Sequence, residues 1–475
     1  MLVPRMRRLL PLLLVAACLA LPASAAGAPN VVVIETDDQT VADMAALPHT
    51  RELIGGAGVR FENAFVSLAT CCPSRATFLT GRYAHNHGVQ AIRPPFGGFY
   101  RLDGTETLPV WLQRAGYATG IVGKYLNGYG SRDRSEVPPG WTTFHGLLGR
   151  STYRFYDYTF NDDGALTHFG TDLAEYQTDV ITTRSEAFIR RRAPAPEPFF
   201  LWTTYVAPHT GRPGDLSDPP GFDSAVPATR HRAAYLGAPL PRPPAFNEAD
   251  VSDKPRPIRR RPLLGPHRIA ELAEARRQRL ASLLAVDEGV ARIVHALREQ
   301  GELEDTLLVF TSDNGFMSGE HRVPKGKVLA YEPSIRVPLL MRGPGLPSGA
   351  TRTQLVWNGD LAPTILEAAG ARAAFDVDGR SLLAFARDGD LRGDRAVLLE
   401  GPPLSRSNGL SRFTGLRTRR HKYVEHLRGA VELYDLVADP DELENLAGTP
   451  AAAGVRARLA GRLARLRGCA GASCR

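Results

Sequence analysis

Several short segments of this 475-residue chain hold side chains whose types and spacing could do chemistry. In Cys71-Cys72-Pro73-Ser74-Arg75-Ala76-Thr77-Phe78-Leu79-Thr80-Gly81-Arg82, Pro73 suits the first turn of a helix and Gly81 its end, which predicts a helix with Cys71 at its N-terminus. Unsatisfied backbone N–H groups and the positive end of the helix favour an anionic oxygen there, and Arg75, one turn on, can face it. Cysteine and proline alone would fit a buried structural thiol beside a helix cap at least as well. Asp37-Asp38 and Asp313-Asn314-Gly315 are acidic pairs that, read singly, are common turns or caps. Together, Asp37, Asp38, Asp313 and Asn314 supply only oxygen ligands, the set for a hard cation such as Ca²⁺ or Mg²⁺ and a poor one for zinc.

Each acidic pair directly follows a β-branched or apolar run, NVVVIET at Asn30–Thr36 and TLLVFTS at Thr306–Ser312. Both runs read as buried parallel strands, the second preceded by a helix over about 269–300. In open α/β sheets ligands gather at the carboxyl ends of strands, so the two pairs are expected to converge. Further apolar runs at 117–122, 199–206 and 337–341, with helices at 107–115 and 361–369, predict an α/β fold: a large, mostly parallel sheet flanked by helices. Between His209 and His267 the chain is rich in Pro, Gly and charge, too long for a simple connection, and reads as either a disordered insertion or, the favoured reading, a substrate-facing excursion. From about Ala396 short β runs at 423–426 and 431–436 precede an Arg-rich amphipathic helix at 450–466. The expected organisation is a leader at 1–28, a catalytic domain at 29–390, and a smaller C-terminal α+β subdomain at 391–475 with a small antiparallel sheet.

The leader carries Arg5, Arg7 and Arg8, an apolar run from Leu9 to Leu21, and small residues to Ala28, the pattern of a secretory signal. The run is short for a membrane span, and no later stretch predicts a transmembrane helix. Val15-Ala16-Ala17-Cys18 loosely resembles a lipoprotein box, so lipid anchoring through Cys18 stands as an alternative to cleavage near Ala28. Export would permit a disulfide, expected between the neighbouring Cys469 and Cys474; Cys71 and Cys72 are adjacent, lack such a partner, and call for a chemical explanation. The formal charge of +8 falls to +5 without the three leader arginines. That excess suits an anionic substrate, is spread widely apart from a cluster at 256–261, and gives no nucleic-acid motif.

The string C-x-P-S-R-x-x-x-L-T-G, present here from Cys71 to Gly81, resembles the signature of the sulfatase family, and the resemblance runs from Asp37-Asp38 to ELYDL and DP at 432–440. It implies an alkaline-phosphatase-like fold and a sulfuric ester hydrolase. It also implies oxidation of Cys71 to formylglycine by a dedicated maturation enzyme, and a Ca²⁺ held by Asp37, Asp38, Asp313, Asn314 and the converted Cys71. Positions matching the family's sulfate and leaving-group contacts are Arg75, Lys124, His209 and Lys327. The family's lysine–aromatic–histidine string departs here to Lys124-Tyr125-Leu126-Asn127, so one polar contact lacks an owner, and Asn127 is the candidate. His87 is a second candidate substrate contact, whereas histidines near loops, such as His85 and His321, are more often structural than catalytic.

The stretches KYLN at 124–127 and AFNEADVSDKP at 245–255 resemble the N-acetylglucosamine-6-sulfatase branch. The resemblance implies a 6-sulfated glucosamine in a glycan as substrate. An arylsulfatase of other specificity, or a phosphate or phosphonate monoester hydrolase of the same superfamily, is the alternative.

Overall fold

The computed structural model describes residues 27–215, 218, 222–391, 393, 395–403 and 412–475. The predicted leader, with Cys18, lies outside the described residues apart from its last two positions. In chain order the strands are β1 (Asn30–Thr36), β2 (Val59–Phe65), β3 (Ala118–Gly123), β4 (Thr143–Leu147), β5 (Tyr158–Asp162), β6 (Ala165–Phe169), β7 (Phe199–Thr204), β8 (Thr306–Ser312), β9 (Leu339–Arg342), β10 (Ala350–Trp357), β11 (Ala396–Glu400), β12 (Phe413–Thr418), β13 (His421–His426) and β14 (Val431–Asp435).

The first ten strands form one sheet in the order β10-β2-β9-β8-β1-β7-β3-β4-β5-β6. The central run β8-β1-β7-β3-β4 is parallel throughout; β9 and β5 pair antiparallel with both neighbours. The sheet is therefore mixed and mostly parallel. Every residue of β1, β3, β7 and β8 is buried, as expected of strands covered on both faces. Alternation sorts the side chains: Val31 and Val33 pack with the helices Cys71–Thr80, Leu108–Arg114 and Leu361–Ala368, while Val32 and Ile34 pack with Gln177–Arg192 and Pro266–Glu299. Each such buried aliphatic side chain contributes about 1.5–3 kcal/mol.

The long helix at Pro266–Glu299 starts three residues ahead of the expected position, where Pro266 takes its first turn. The last helix runs Ala453–Leu466, its predicted first residues forming a separate 3₁₀ turn at Pro450–Ala452. The β5–β6 hairpin was absent from the expected elements. It turns on Asp163-Gly164, both at positive φ (51° and 97°), a two-residue connection that joins antiparallel strands.

The last four strands form an antiparallel sheet in sequential order, with the helix Ala453–Leu466 packed against β12 and β13. Cys469 and Cys474 are joined in a disulfide with Cα atoms 5.1 Å apart. Apart from Pro266 and His267, which open the long helix, the described part of 209–267 contains only short helical turns at Thr229–His231 and Arg256–Arg259 and packs on the loop that follows β8: Asn247 N–H donates to Gly319 O (2.8 Å) and Lys325 Nζ to Asp223 O (2.7 Å). Among the described residues no helix is long and apolar enough to cross a membrane.

Candidate active site

The register of the sheet brings the acidic pairs together. Asn30 pairs with Thr306 and the ladder runs in step to Thr36 with Ser312, so Asp37 and Asp313 leave adjacent parallel strands at the same height. On the other side of β1, Glu35 pairs with Thr204 of β7, and Thr204 in turn with Gly123 of β3. Asp313-Asn314, Asp37-Asp38, His209 and Lys124 thus all follow the carboxyl ends of four neighbouring strands. Gly123, at φ 118°, permits this: a Cβ there would lie 2.0 Å from Thr204 O, and the close approach turns Lys124 into the cluster.

Asp38 adopts φ 67°, a left-handed conformation that aspartate tolerates better than most residues. Its surroundings hold it there. Its N–H donates to Asp313 Oδ1 (3.2 Å), Asn314 Nδ2 donates to its Oδ1 (2.6 Å), and Arg279 Nη2 donates to its carbonyl (2.6 Å).

The helix Cys71–Thr80 begins where its sequence predicts, and Gly81 ends it at φ 64°. All ten residues are buried, and the N-cap Thr70 makes no side-chain bond to the first turn. Cys71 Sγ donates to Asp37 Oδ1 (3.3 Å) and accepts from Lys327 Nζ (2.8 Å). Burial, then the Asp37 carboxylate, push the thiol pKa up, so the unconverted side chain is a protonated, weak nucleophile at neutral pH. Arg75 is fully buried: its Nε donates to Asp313 Oδ2 (2.8 Å) and its Nη1 to Lys124 O (2.9 Å).

Lys124 pairs with Asp37, and Lys327 with Asp38, in tight contacts. Burial would raise both aspartates, but the lysines and His209 outweigh it and hold them below the ordinary carboxylate range. His209 donates from Nδ1 to Thr210 O (2.8 Å), leaving Nε2 toward Asp38 Oδ2 at 3.7 Å; burial keeps its pKa below the usual histidine value.

The donor set fits a metal. Ligand atoms of Asp37, Asp38, Cys71 and His209 all lie within 4.8 Å of one another. Asp313 stands beside that group rather than in it, bonded to the Asp38 N–H. Asn314 Oδ1 is buried with no hydrogen-bond partner, and a buried carbonyl oxygen beside carboxylates is what a hard cation satisfies. The sulfur and imidazole nitrogen would by themselves suit a softer ion, but oxygen predominates once Asp313 and Asn314 are counted.

Asn127 Nδ2 donates to Tyr153 Oη (2.7 Å), so its amide reaches the cluster through that phenol. His87 is engaged elsewhere: Nδ1 accepts from Val89 N–H (3.1 Å), Nε2 bonds Thr77 Oγ1 (3.0 Å), and burial, with His85 and Arg82, pushes its pKa down to about 3. That makes it a neutral brace on the helix Cys71–Thr80. His85 bridges Glu400 (3.0 Å) and Cys469 O (2.9 Å), and His321 pairs with Glu248 (2.6 Å) at the insertion; both serve packing contacts.

The site also holds Tyr153 and Glu35, which no sequence motif marks. The Tyr153 ring lies 4.6 Å from the His209 ring and 5.2 Å from Lys124 Nζ. Glu35 is buried behind Arg75 (3.8 Å), accepts from Trp202 Nε1 (2.8 Å), and is raised to about 7 by burial against the pull of Arg75. No local motif marks either residue; Glu35 was visible only as the polar interruption of an apolar strand.

The helix-flanked, mostly parallel sheet, with an acidic cluster able to hold a metal at its carboxyl edge, is an alkaline-phosphatase-like fold. The sulfatase family model matches residues 29–371, and a model described as N-sulphoglucosamine sulphohydrolase, C-terminal, matches 319–468. Human N-acetylglucosamine-6-sulfatase is 33% identical over 513 residues, covering 98% of this chain and 89% of that protein. Arylsulfatase of Volvox carteri is 35% identical over 518 residues, covering 97% and 79%. A solved structure of a protein in complex with its substrate D-glucosamine-2-N,6-O-disulfate superposes with a TM-score of 0.77 at 26% identity, covering 93% of this chain and 97% of that one. The chain belongs to the sulfatase family and is a sulfuric ester hydrolase, similar within the family to the N-acetylglucosamine-6-sulfatase branch.

Proposed function

We propose that the protein hydrolyses the 6-O-sulfate of N-acetylglucosamine in a glycan, with a formylglycine made from Cys71 as nucleophile. The observation that carries this reading is the setting of Cys71: a buried helix N-terminus, flanked by Lys327 and Asp37, at the focus of parallel strand ends. A protonated thiol there is a poor nucleophile, whereas an aldehyde hydrate offers two hydroxyls. One hydroxyl passes its proton to the unprotonated Nε2 of His209 as its oxygen attacks sulfur, and the bond from sulfur to the sugar oxygen breaks with its electrons going to that oxygen, which takes a proton from Lys327. The second hydroxyl then gives its proton back to Lys327 as the carbonyl re-forms; the bond from that carbon to the bridging oxygen breaks, and sulfate leaves with that oxygen and the electrons of the broken bond.

Lys124 sets positive charge beside the attacked group, and Arg75 fixes Asp313 beneath it. Asp37, Asp38, Asp313 and Asn314, with the converted residue 71, would hold Ca²⁺, which as a Lewis acid polarises the sulfate oxygens; Mg²⁺ is the other hard cation for the same donors. The maturation enzyme is the partner this chemistry requires. Export is supported by the composition of the leader and by the Cys469–Cys474 disulfide. The division into a catalytic domain at 29–390 and a C-terminal subdomain is supported by the separate four-stranded sheet, which begins at Ala396.

The test is sulfate or phosphate release from 6-sulfated N-acetylglucosamine, an aryl sulfate and a phosphate monoester, by protein co-produced with the maturation enzyme. Preferred turnover of the sugar sulfate supports the reading. Activity on the aryl sulfate alone removes the sugar, and activity on the phosphate ester alone removes the sulfate.

A further inference from the structure

We infer that Tyr153 donates a hydrogen bond from its hydroxyl to the sulfate group of the bound ester, and that Asn127 is the positioning residue that orients it. The inference rests on the sulfate-ester reading above and adds to it a substrate contact that the sequence motifs do not contain.

Three observations carry it. First, Tyr153 stands at the site: its ring is 4.6 Å from that of His209 and 5.2 Å from Lys124 Nζ, and these two groups face Asp38 and Asp37. Second, the hydroxyl is oriented. Asn127 Nδ2 donates to Oη at 2.7 Å, which occupies a lone pair of the phenol and leaves its proton to point elsewhere; among the described residues no acceptor takes it. Third, both partners are fixed from behind. Asn127 follows the Lys124 turn and its carbonyl accepts from Phe99 N–H (2.8 Å), while Tyr153 closes a 3₁₀ turn at Gly149–Tyr153 and its carbonyl accepts from Arg212 N–H (2.8 Å).

The result is a neutral donor beside two ammonium groups, Lys124 and Lys327, already paired with carboxylates. Burial raises the phenol to about 12, so it stays protonated in the working range. A donor of this kind suits an oxyanion, because it adds no charge that the aspartates would compete for. On the sulfate-ester reading, the oxyanion it meets is the sulfate of the ester.

The experiment is a double-mutant cycle on the matured enzyme, reading kcat and KM for a sulfate ester together with the melting temperature. Tyr153→Phe keeps the ring against His209 and removes only the hydroxyl. It is expected to lower kcat/KM roughly tenfold to a hundredfold, the range for a hydrogen bond to a charged group, with the melting temperature unchanged. Asn127→Ala is expected to cost less, and in the Tyr153→Phe background to cost nothing further, since Asn127 acts only through the phenol. A Tyr153→Phe enzyme within twofold of wild type overturns the contact. Losses that multiply in the double variant overturn the role of Asn127. Wild-type enzyme in the same assay separates this inference from its premise: if it releases no sulfate from any ester, the sulfate-ester reading itself has failed.

Discussion

Lys327 Nζ lies 2.8 Å from Cys71 Sγ and also pairs with Asp38, so one ammonium spans the proposed nucleophile position and the acidic cluster. The loop that delivers it is strained. The next residue, Val328, has φ 77°, a conformation that β-branched side chains rarely adopt, and its N–H is tied to Ala69 O (3.0 Å), two residues before Cys71. A lysine held this way can meet the oxygen that leaves sulfur. Lys327→Ala should therefore lower kcat/KM for a sugar sulfate by about 10²–10⁴, the range for a lost general acid, and much less for an aryl sulfate with a good leaving group. Equal losses on the two substrates would argue against that role.

Removing the cation should weaken both turnover and fold. Asp37, Asp38 and Asp313 are buried together, and a chelator would leave their mutual repulsion opposed by Lys124, Lys327, Arg75 and His209 without the cation. Chelated protein is expected to lose activity and melt at lower temperature, with Ca²⁺ restoring both. Asp313→Ala should be inactive and insensitive to added Ca²⁺. A melting temperature indifferent to the chelator would contradict the assignment of ligands.

The C-terminal subdomain is locked to the catalytic loop by buried charge. Lys422 Nζ reaches Glu332 (2.9 Å) and Glu442 (2.6 Å), and Glu442 accepts the Glu332 N–H (2.8 Å). Lys422→Met leaves Glu442 buried without its cation, while Glu332 keeps Arg417 (3.0 Å), and should cost about 3–5 kcal/mol in denaturant unfolding. Loss of less than about 1 kcal/mol would mean that water or Arg417 already compensates them.

His85 makes stability depend on pH. Burial would lower its pKa, but the bond and charge of Glu400 and the Cys469 carbonyl outweigh it, so the folded value lies above the ordinary 6.5. A raised histidine stabilises the fold fully below 6.5, and that contribution is lost as pH climbs from 6.5 through the folded value. The melting temperature of wild type should fall across this window by more than that of His85→Gln. Parallel curves for the two proteins would remove His85 from the account.

Much of this was legible because strand and motif coincide. β1 and β8 are apolar runs that end directly in their acids, and the Cys71 helix is bracketed by Pro73 and Gly81, so local sequence dictates both the element and the residue it presents. The convergence of Lys124, His209 and Lys327 was readable only through the family string, since each is an ordinary loop residue whose placement depends on strand order. Tyr153 was hidden for the same reason: a 3₁₀ turn remote in sequence carries it, and only the pairing of β3 and β7 brings Lys124 and His209 to its ring. His87 had motif-like proximity to Cys71 but sits further along the helix against Thr77, where sequence nearness does not become nearness to the cluster.

The most direct test of the central claim is the state of residue 71 alongside turnover. Protein should be made with and without the maturation enzyme, its Cys71 peptide weighed, and sulfate release from 6-sulfated N-acetylglucosamine measured, with Cys71→Ala as control. Activity that rises in proportion to the aldehyde-bearing peptide and is absent in Cys71→Ala is the predicted result. Substantial turnover by protein with an unconverted thiol, or by Cys71→Ala, would contradict it.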